Sequence, residues 1–315
     1  MNKLVFSILF LAILFGGSKQ SKGQNKSITF LVASDMGRHG KSEQKNIAGI
    51  MGRFAEENKI DFMAVAGDPI HDNGVKCVED KEWKVKIEDI YTTQSLHDLP
   101  WYVVSGNHEY NGSVQAILDY SRVSGRWNAQ ARYYAMEFPV GKRKKILFVF
   151  IDTTPLIDKY RIDEPRSDAP EQNMEQQLRW LDSVLAKSDV RWKIVIGHHP
   201  VYAKTYKEMS ERTDIQERVG KILENRGADL YICGHIHNFQ HIKPERSKVH
   251  YVVNSSASQS RVVHEIDEVK GVLFSNPDPG YSVFTLSKDT LHFNFINHTG
   301  ENIYSYMISK KEGCK

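Results

Sequence analysis

Cysteine is scarce in this chain. Cys77, Cys233 and Cys314 are the only three in 315 residues, too few for a disulfide framework, and an odd count leaves at least one thiol without a partner in the chain. A Cys77–Cys314 bridge is compatible with that count, while Cys233 ends the apolar run Leu230-Tyr231-Ile232 and reads as a buried strand residue. Long apolar runs are also missing. The stretch Leu4–Phe15 falls short of the roughly 20 residues needed to span a bilayer, and no later run approaches that length. With Lys3 ahead of it and Gly16, Gly17 and Ser18 behind, Met1–Gly23 reads as a secretory signal peptide. No cysteine at its exit offers a lipid attachment site, so a retained anchor is the lesser reading. The mature protein is expected to be extracytoplasmic, secreted or periplasmic, without stable membrane insertion. Nor is there an excess of one charge. The chain holds 42 basic and 39 acidic residues, and Lys3, Lys19 and Lys22 leave with the leader, so the remainder is balanced. Such a chain lacks the clustered positive charge on which phosphate-backbone binding depends, and no nucleic-acid partner is expected. The one basic run, Lys142-Arg143-Lys144-Lys145, lies between two strand-like segments and reads as a solvated hairpin turn. No linker, repeat or low-complexity tract divides residues 24–315, which are read as a single domain.

What the chain does have is a repeated alternation of strand-like and helix-like segments. Strands are expected at Ile28–Ser34, Phe62–Ala66, Trp101–Ser105, Arg132–Phe138, Lys145–Ile151, Trp192–Ile196 and Asp229–Cys233. Helices are expected at Gln44–Asn58, where Ile47, Ile50, Met51 and Phe54 recur at helical period, at Glu79–Leu96, at Met174–Lys187, and at Ile215–Asn225 with Gly227 closing it. Beyond Val249, four further strands follow with turns between them: Val249–Asn254, Tyr281–Leu286, Leu291–Ile296 and Ile303–Ile308. Repeated β-α units followed by consecutive strands predict an α/β fold with a two-sheet β-sandwich core flanked by helices.

The informative feature is what stands at the strand ends. The run Val103-Val104-Ser105-Gly106-Asn107-His108-Glu109 passes from apolar strand to a small residue and then to three side chains that can offer oxygen or nitrogen to a ligand. The same order, apolar strand, small residue, metal-type ligand, recurs at Asp35, at Gly67-Asp68, at Gly197-His198 and at Gly234-His235-Ile236-His237. Taken singly, each is an ordinary turn or helix cap. Together they converge, because open α/β sheets bind ligands in the crevice outside the carboxyl ends of their strands. Two carboxylates, one amide oxygen and three imidazoles exceed the needs of a single tetrahedral zinc and lack the thiolates of a structural site. They suit two ions with a carboxylate between them, an arrangement that activates water near neutral pH and supports in-line displacement at phosphorus.

These blocks resemble the calcineurin-like metallophosphoesterases. Asp35-Met36-Gly37, Gly67-Asp68, Gly106-Asn107-His108-Glu109, Gly197-His198 and Gly234-His235-Ile236-His237 stand in the order of that superfamily's five motifs. The Asp-x-Gly first block, the segment His235–Gln240 and the Asp152-Thr153 strand end are similar to those of the small, tartrate-resistant type of purple acid phosphatase. The resemblance spans about Ile28 to Ser258. It implies a secreted phosphatase that hydrolyses small phosphate monoesters by attack of a metal-bound hydroxide. It also implies that Asp35 and His237 bind the first metal, that Asp68 bridges, and that Asn107, His198 and His235 bind the second. His108 is then the general acid. The resemblance leaves open a phosphodiesterase or nucleotide hydrolase on the same scaffold, and an exported binding protein without turnover.

Around these residues stand less specific candidates. Glu109 is expected to orient a neighbouring ligand without binding metal itself, with a plain loop carboxylate as the equal alternative. His241 is a candidate for substrate contact, His39 is an unassigned spare donor, and His199 is expected to point away from His198. The second block departs from the family pattern. Gly67-Asp68-Pro69-Ile70-His71 carries His71 where purple acid phosphatases have a metal-binding tyrosine. Ligation by His71 is the favoured reading. A neutral imidazole balances less charge than a phenolate, so a divalent pair of iron, zinc or manganese is favoured, and the protein is expected to be colourless or only faintly coloured even with iron present.

Overall fold

The computed structural model describes residues 27–140, 144–187, 190–207, 209–264 and 269–310. The leader Met1–Gly23, Cys314 and the Gly141-Lys142-Arg143 part of the expected hairpin turn lie outside the described residues. The chain lays down half of one sheet, builds the whole of a second, and then returns to finish the first. Strands β1 (Ser27–Ala33), β2 (Phe62–Ala66), β3 (Trp101–Val104) and β4 (Trp127–Asn128) pair in parallel, in that order. The second sheet follows from β5 (Tyr134–Val140), β6 (Lys144–Phe150), β7 (Val190–Ile196), β8 (Leu230–Cys233), β9 (Phe239–Ile242), β10 (His250–Val253) and β11 (Val272–Asn276). Its centre, β6-β7-β8-β10, is parallel, and β5, β9 and β11 close its edges antiparallel. Finally β12 (Gly280–Ser287) pairs antiparallel with β1, and β13 (Thr290–Asn297) and β14 (Asn302–Ser309) extend that sheet.

Strand alternation sorts side chains into three cores. In β1, Ile28, Phe30 and Val32 face the second sheet, where they join Phe62, Phe148, Ile194 and Phe293. Leu31 and Ala33 face outward against the helix Gln44–Glu57 through Ile47 and Met51. In β6, Ile146, Phe148 and Phe150 point between the sheets, while Leu147 and Val149 pack under the helices Met174–Leu185 and Lys221–Arg226 through Leu181, Leu185 and Leu223. Gly227 closes the latter helix at φ 63°, the left-handed conformation that a C-terminal glycine takes without a Cβ clash. One expected helix is broken. The stretch Glu79–Leu96 forms helical turns at Lys81–Trp83, Lys84–Glu88 and Gln94–His97, interrupted where Thr92 and the extended Thr93 put two β-branched residues in succession. Among the described residues no helix is long and apolar enough to cross a membrane.

Candidate metal centre

The parallel strands of both sheets end at one crevice, and the residues just past those ends meet there. Asp35 follows β1, Asp68 follows β2, Asn107 follows β3, His198 follows β7, and His235 and His237 follow β8. All six are buried. Glycines beside them make the approach possible. A Cβ on Gly67 would stand 2.3 Å from His198 Nδ1, and one on Gly106 would stand 2.2 Å from Asp68 Oδ1. Asp35, Asp68, His235 and His237 adopt φ of 53°, 50°, 70° and 62°, a left-handed backbone that non-glycine residues rarely take and that clusters at functional sites.

The donor atoms face one another across gaps that hydrogen bonds do not fully fill. His237 Nε2 lies 3.0 Å from Asp35 Oδ1, yet that oxygen accepts no hydrogen bond. His198 Nε2 lies 3.1 Å from Asp68 Oδ2 and 3.3 Å from Asn107 Oδ1. His71 is fully buried, with Nε2 3.9 Å from Asp35 Oδ1 and 3.8 Å from Asp68 Oδ2, and both its ring nitrogens lack partners. Orphaned nitrogen and oxygen atoms at this depth are costly unless something else engages them. The mixed set of carboxylate, amide and imidazole suits borderline divalent ions such as zinc, manganese or iron. Asp35, His71 and His237 form one such cluster, and Asp35, Asp68 and His198 an overlapping one.

Charge follows from these contacts. Burial works against ionised Asp35 and Asp68, but His237 beside the first and His198 beside the second hold both carboxyls well below the usual range. Burial likewise opposes a charge on His198, and the Asp68 carboxylate more than offsets it, so His198 is pushed up to about 9. His71 moves the other way, since burial outweighs its two carboxylate neighbours. Glu109 is pushed up to about 8 by burial and by Asp68. It accepts from Gly106 N at 2.7 Å and from Ile70 N at 3.1 Å, and so ties the loop after β2 to the loop after β3.

His108 stands at the mouth. Its backbone N–H donates to Asp68 Oδ1 at 2.9 Å, and its Nδ1 lies 2.9 Å from the carbonyl of Asp72. A carbonyl only accepts, so Nδ1 carries the proton and Nε2, 3.9 Å from Asp68 Oδ2, is the nitrogen left to the crevice.

Several placements differ from sequence expectation. His199 does not turn away: its ring lies 4.9 Å from that of His198 and 4.3 Å from that of His235. The strand has already ended at Ile196, so alternation no longer governs residue 199. Thr153 Oγ1 accepts from His198 N and His199 N, so its hydroxyl donates to His199 Nδ1 at 2.8 Å. His241 does not serve the crevice. It lies in β9, bonded to His250 Nδ1 and Tyr304 Oη at 2.9 Å each, because the unforeseen strand Phe239–Ile242 begins straight after Asn238. His39 pairs with Glu82 at 2.9 Å. Three residues near the centre carried no strand-end signal. Glu211 reaches His235 Nε2 at 2.8 Å, Lys207 Nζ lies 3.1 Å from His235 Nδ1, and Arg166 donates to the Asn107 carbonyl at 3.1 Å.

Comparison with known proteins agrees with this geometry. The calcineurin-like phosphoesterase profile matches residues 28–239. The chain belongs to that family. Within it, purple acid phosphatase 7 of Arabidopsis thaliana is 32% identical over 96% of this chain and 96% of its own. Human tartrate-resistant acid phosphatase type 5 is 26% identical over 92% and 93%. A purple acid phosphatase from yellow lupin seeds shares the fold at TM-score 0.64 and 16% identity, over 91% of this chain and 54% of that one. So does a Plasmodium protein described as the anchor in the inner membrane complex, at TM-score 0.78 and 24% identity, over 91% and 90%. This metallophosphoesterase therefore has named acid phosphatases among its relatives, and the family implies a dinuclear metal centre.

Proposed function

We propose that this metallophosphoesterase is an exported phosphatase of small phosphate monoesters. The observation that carries the reading is the meeting of Asp35, Asp68, His71, Asn107, His198, His235 and His237 in one buried crevice with unpartnered donor atoms. Asp35, His71 and His237 would hold one cation, Asn107, His198 and His235 a second, and Asp68 would lie between them. When bound, such a pair lowers the pKa of a coordinated water toward neutrality and neutralises charge on the phosphoryl oxygens. The chain's own groups do the rest. His108, as an imidazolium whose Nδ1–H is held on the Asp72 carbonyl, would deliver its second proton from Nε2 to the departing oxygen and return to the neutral Nδ1–H ring. Arg166 steadies Asn107 through its carbonyl, and Glu109 fixes the two loops that present Asp68 and Asn107. Export rests on the leader-like Met1–Gly23, and the N-terminus of protein recovered outside the cytoplasm tests it.

The fold also occurs in a protein described as an anchor, so architecture by itself does not assign turnover. Purified mature protein assayed with an aryl phosphate and an aryl phosphodiester, beside its metal content, separates the readings. Metal-dependent cleavage that favours the monoester supports the proposal. Preference for the diester points to a phosphodiesterase or nucleotide hydrolase, and no cleavage of either by fully loaded protein points to a binding role.

A further inference from the structure

The three histidines at the ends of β7 and β8 are not presented alike. His198 Nδ1 lies 3.0 Å from the Ala66 carbonyl, and His237 Nδ1 lies 2.8 Å from the Gln259 carbonyl. Carbonyls only accept, so in both rings Nδ1 carries a proton, and Nε2 is the nitrogen that faces the carboxylates. His235 is reversed. Its Nε2 lies 2.8 Å from Glu211 Oε2, and its Nδ1 lies 3.2 Å from His198 Nε2 and 3.1 Å from the ammonium of Lys207, which can only donate. The His235 lone pair is therefore on Nδ1. Glu211 is 3% exposed and comes from the helical segment Met209–Ile215, remote from every strand-end motif. Its other oxygen is held by Tyr160 Oη at 2.8 Å and approached by Lys159 Nζ at 3.4 Å, so the carboxylate is fixed at both ends.

We propose that Glu211 is a positioning residue for the second cation: by accepting from His235 Nε2–H it locks the tautomer in which Nδ1 is the ligand atom and makes that nitrogen a stronger donor. The inference rests on the two-cation reading of the crevice. A carboxylate behind a ligating imidazole typically changes metal affinity 10–100-fold. Because Glu211 touches His235 and none of the atoms around Asp35, its effect is confined to one of the two sites.

The test titrates metal-free protein with zinc against a chromophoric chelator. Wild type is expected to show two sites. Glu211→Gln, which keeps the shape and one acceptor but loses the charge, and Glu211→Ala are expected to weaken one site by about 10–100-fold and leave the other within about 2-fold. Tyr160→Phe, which loosens Glu211 without removing its carboxylate, is expected to leave both within about 3-fold. A readout independent of metal is the Nε2–H resonance of His235, expected downfield in wild type and lost in Glu211→Ala. If Glu211→Ala does not fold, Glu211→Gln carries the test. Unchanged affinities in Glu211→Gln, or equal losses at both sites, overturn the role of Glu211 and leave the dinuclear reading standing. Fewer than two sites in wild type overturn both.

Discussion

His71 Nε2 lies 3.9 Å from Asp35 Oδ1, both atoms buried, with no hydrogen bond between them. That pairing is unusual for interior polar atoms, and it stands where the purple acid phosphatase pattern has a tyrosine. The position retains a donor directed at the same carboxylates, but a neutral one. The wild-type protein loaded with iron is accordingly expected to be colourless or faint, and His71→Tyr to gain a visible phenolate-to-iron band. An intense band in the wild type contradicts this, whereas a band confined to the variant puts residue 71 against the metal.

The placement of His108 separates proton transfer from metal binding. His108→Ala is expected to lower kcat about 10²–10⁴-fold while the purified protein keeps two ions per chain. Asp68→Ala should lose both activity and metal, since its carboxylate faces His71, His108 and His198 together. Joint collapse in His108→Ala, measured by elemental analysis beside turnover, would show that residue 108 is a ligand.

Glu109 satisfies two buried backbone donors at once. Glu109→Gln keeps one acceptor and turns an amide NH₂ toward the other donor, leaving a buried N–H unpaired. A loss of about 1–3 kcal/mol is expected in urea unfolding of the metal-free protein. An unchanged midpoint would mean that the loops after β2 and β3 do not depend on this brace.

His241 and His250, which pair with each other on β9 and β10, are expected to make the fold sensitive to acid. Burial, with His250 and Lys243 adding to it, pushes His241 down to about 3, and burial with Lys243 pushes His250 down to about 4. Unfolded, both take up protons near 6.5. The unfolded state therefore binds more protons between those values, and stability present above pH 6.5 is lost as pH falls toward 3. Each group contributes up to about 1.4 kcal/mol per pH unit in that window. The variant carrying His241→Gln and His250→Gln should show a shallower fall of unfolding free energy from pH 6.5 to 4.5 than wild type. Parallel curves would refute the assignment.

Much of this was legible because strand and motif coincide. Phe62–Ala66 is both the expected and the observed strand, and Asp68, Asn107, His198 and His235 stand just past the ends of parallel strands, as the order of apolar run, small residue and oxygen- or nitrogen-bearing side chain predicts. The short strand β9 was hidden behind the histidine-rich turn that precedes it, and with it the true surroundings of His241. Glu211 was invisible for a different reason. It reaches the centre from a helix 24 residues before His235, and an acidic residue within the polar run Ser210-Glu211-Arg212-Thr213-Asp214 carries no periodic or motif signal. The tertiary approach that makes it matter exists only after folding.

Metal reconstitution tests directly whether hydrolysis depends on two cations in the crevice. Metal-free wild-type protein is titrated with a divalent ion at fixed aryl phosphate, and hydrolysis is followed against equivalents added. Negligible activity is expected without metal, followed by a rise to a plateau at two equivalents per chain and loss of that activity on chelation. Full activity in the metal-free protein, or a plateau at one equivalent, would contradict that dependence.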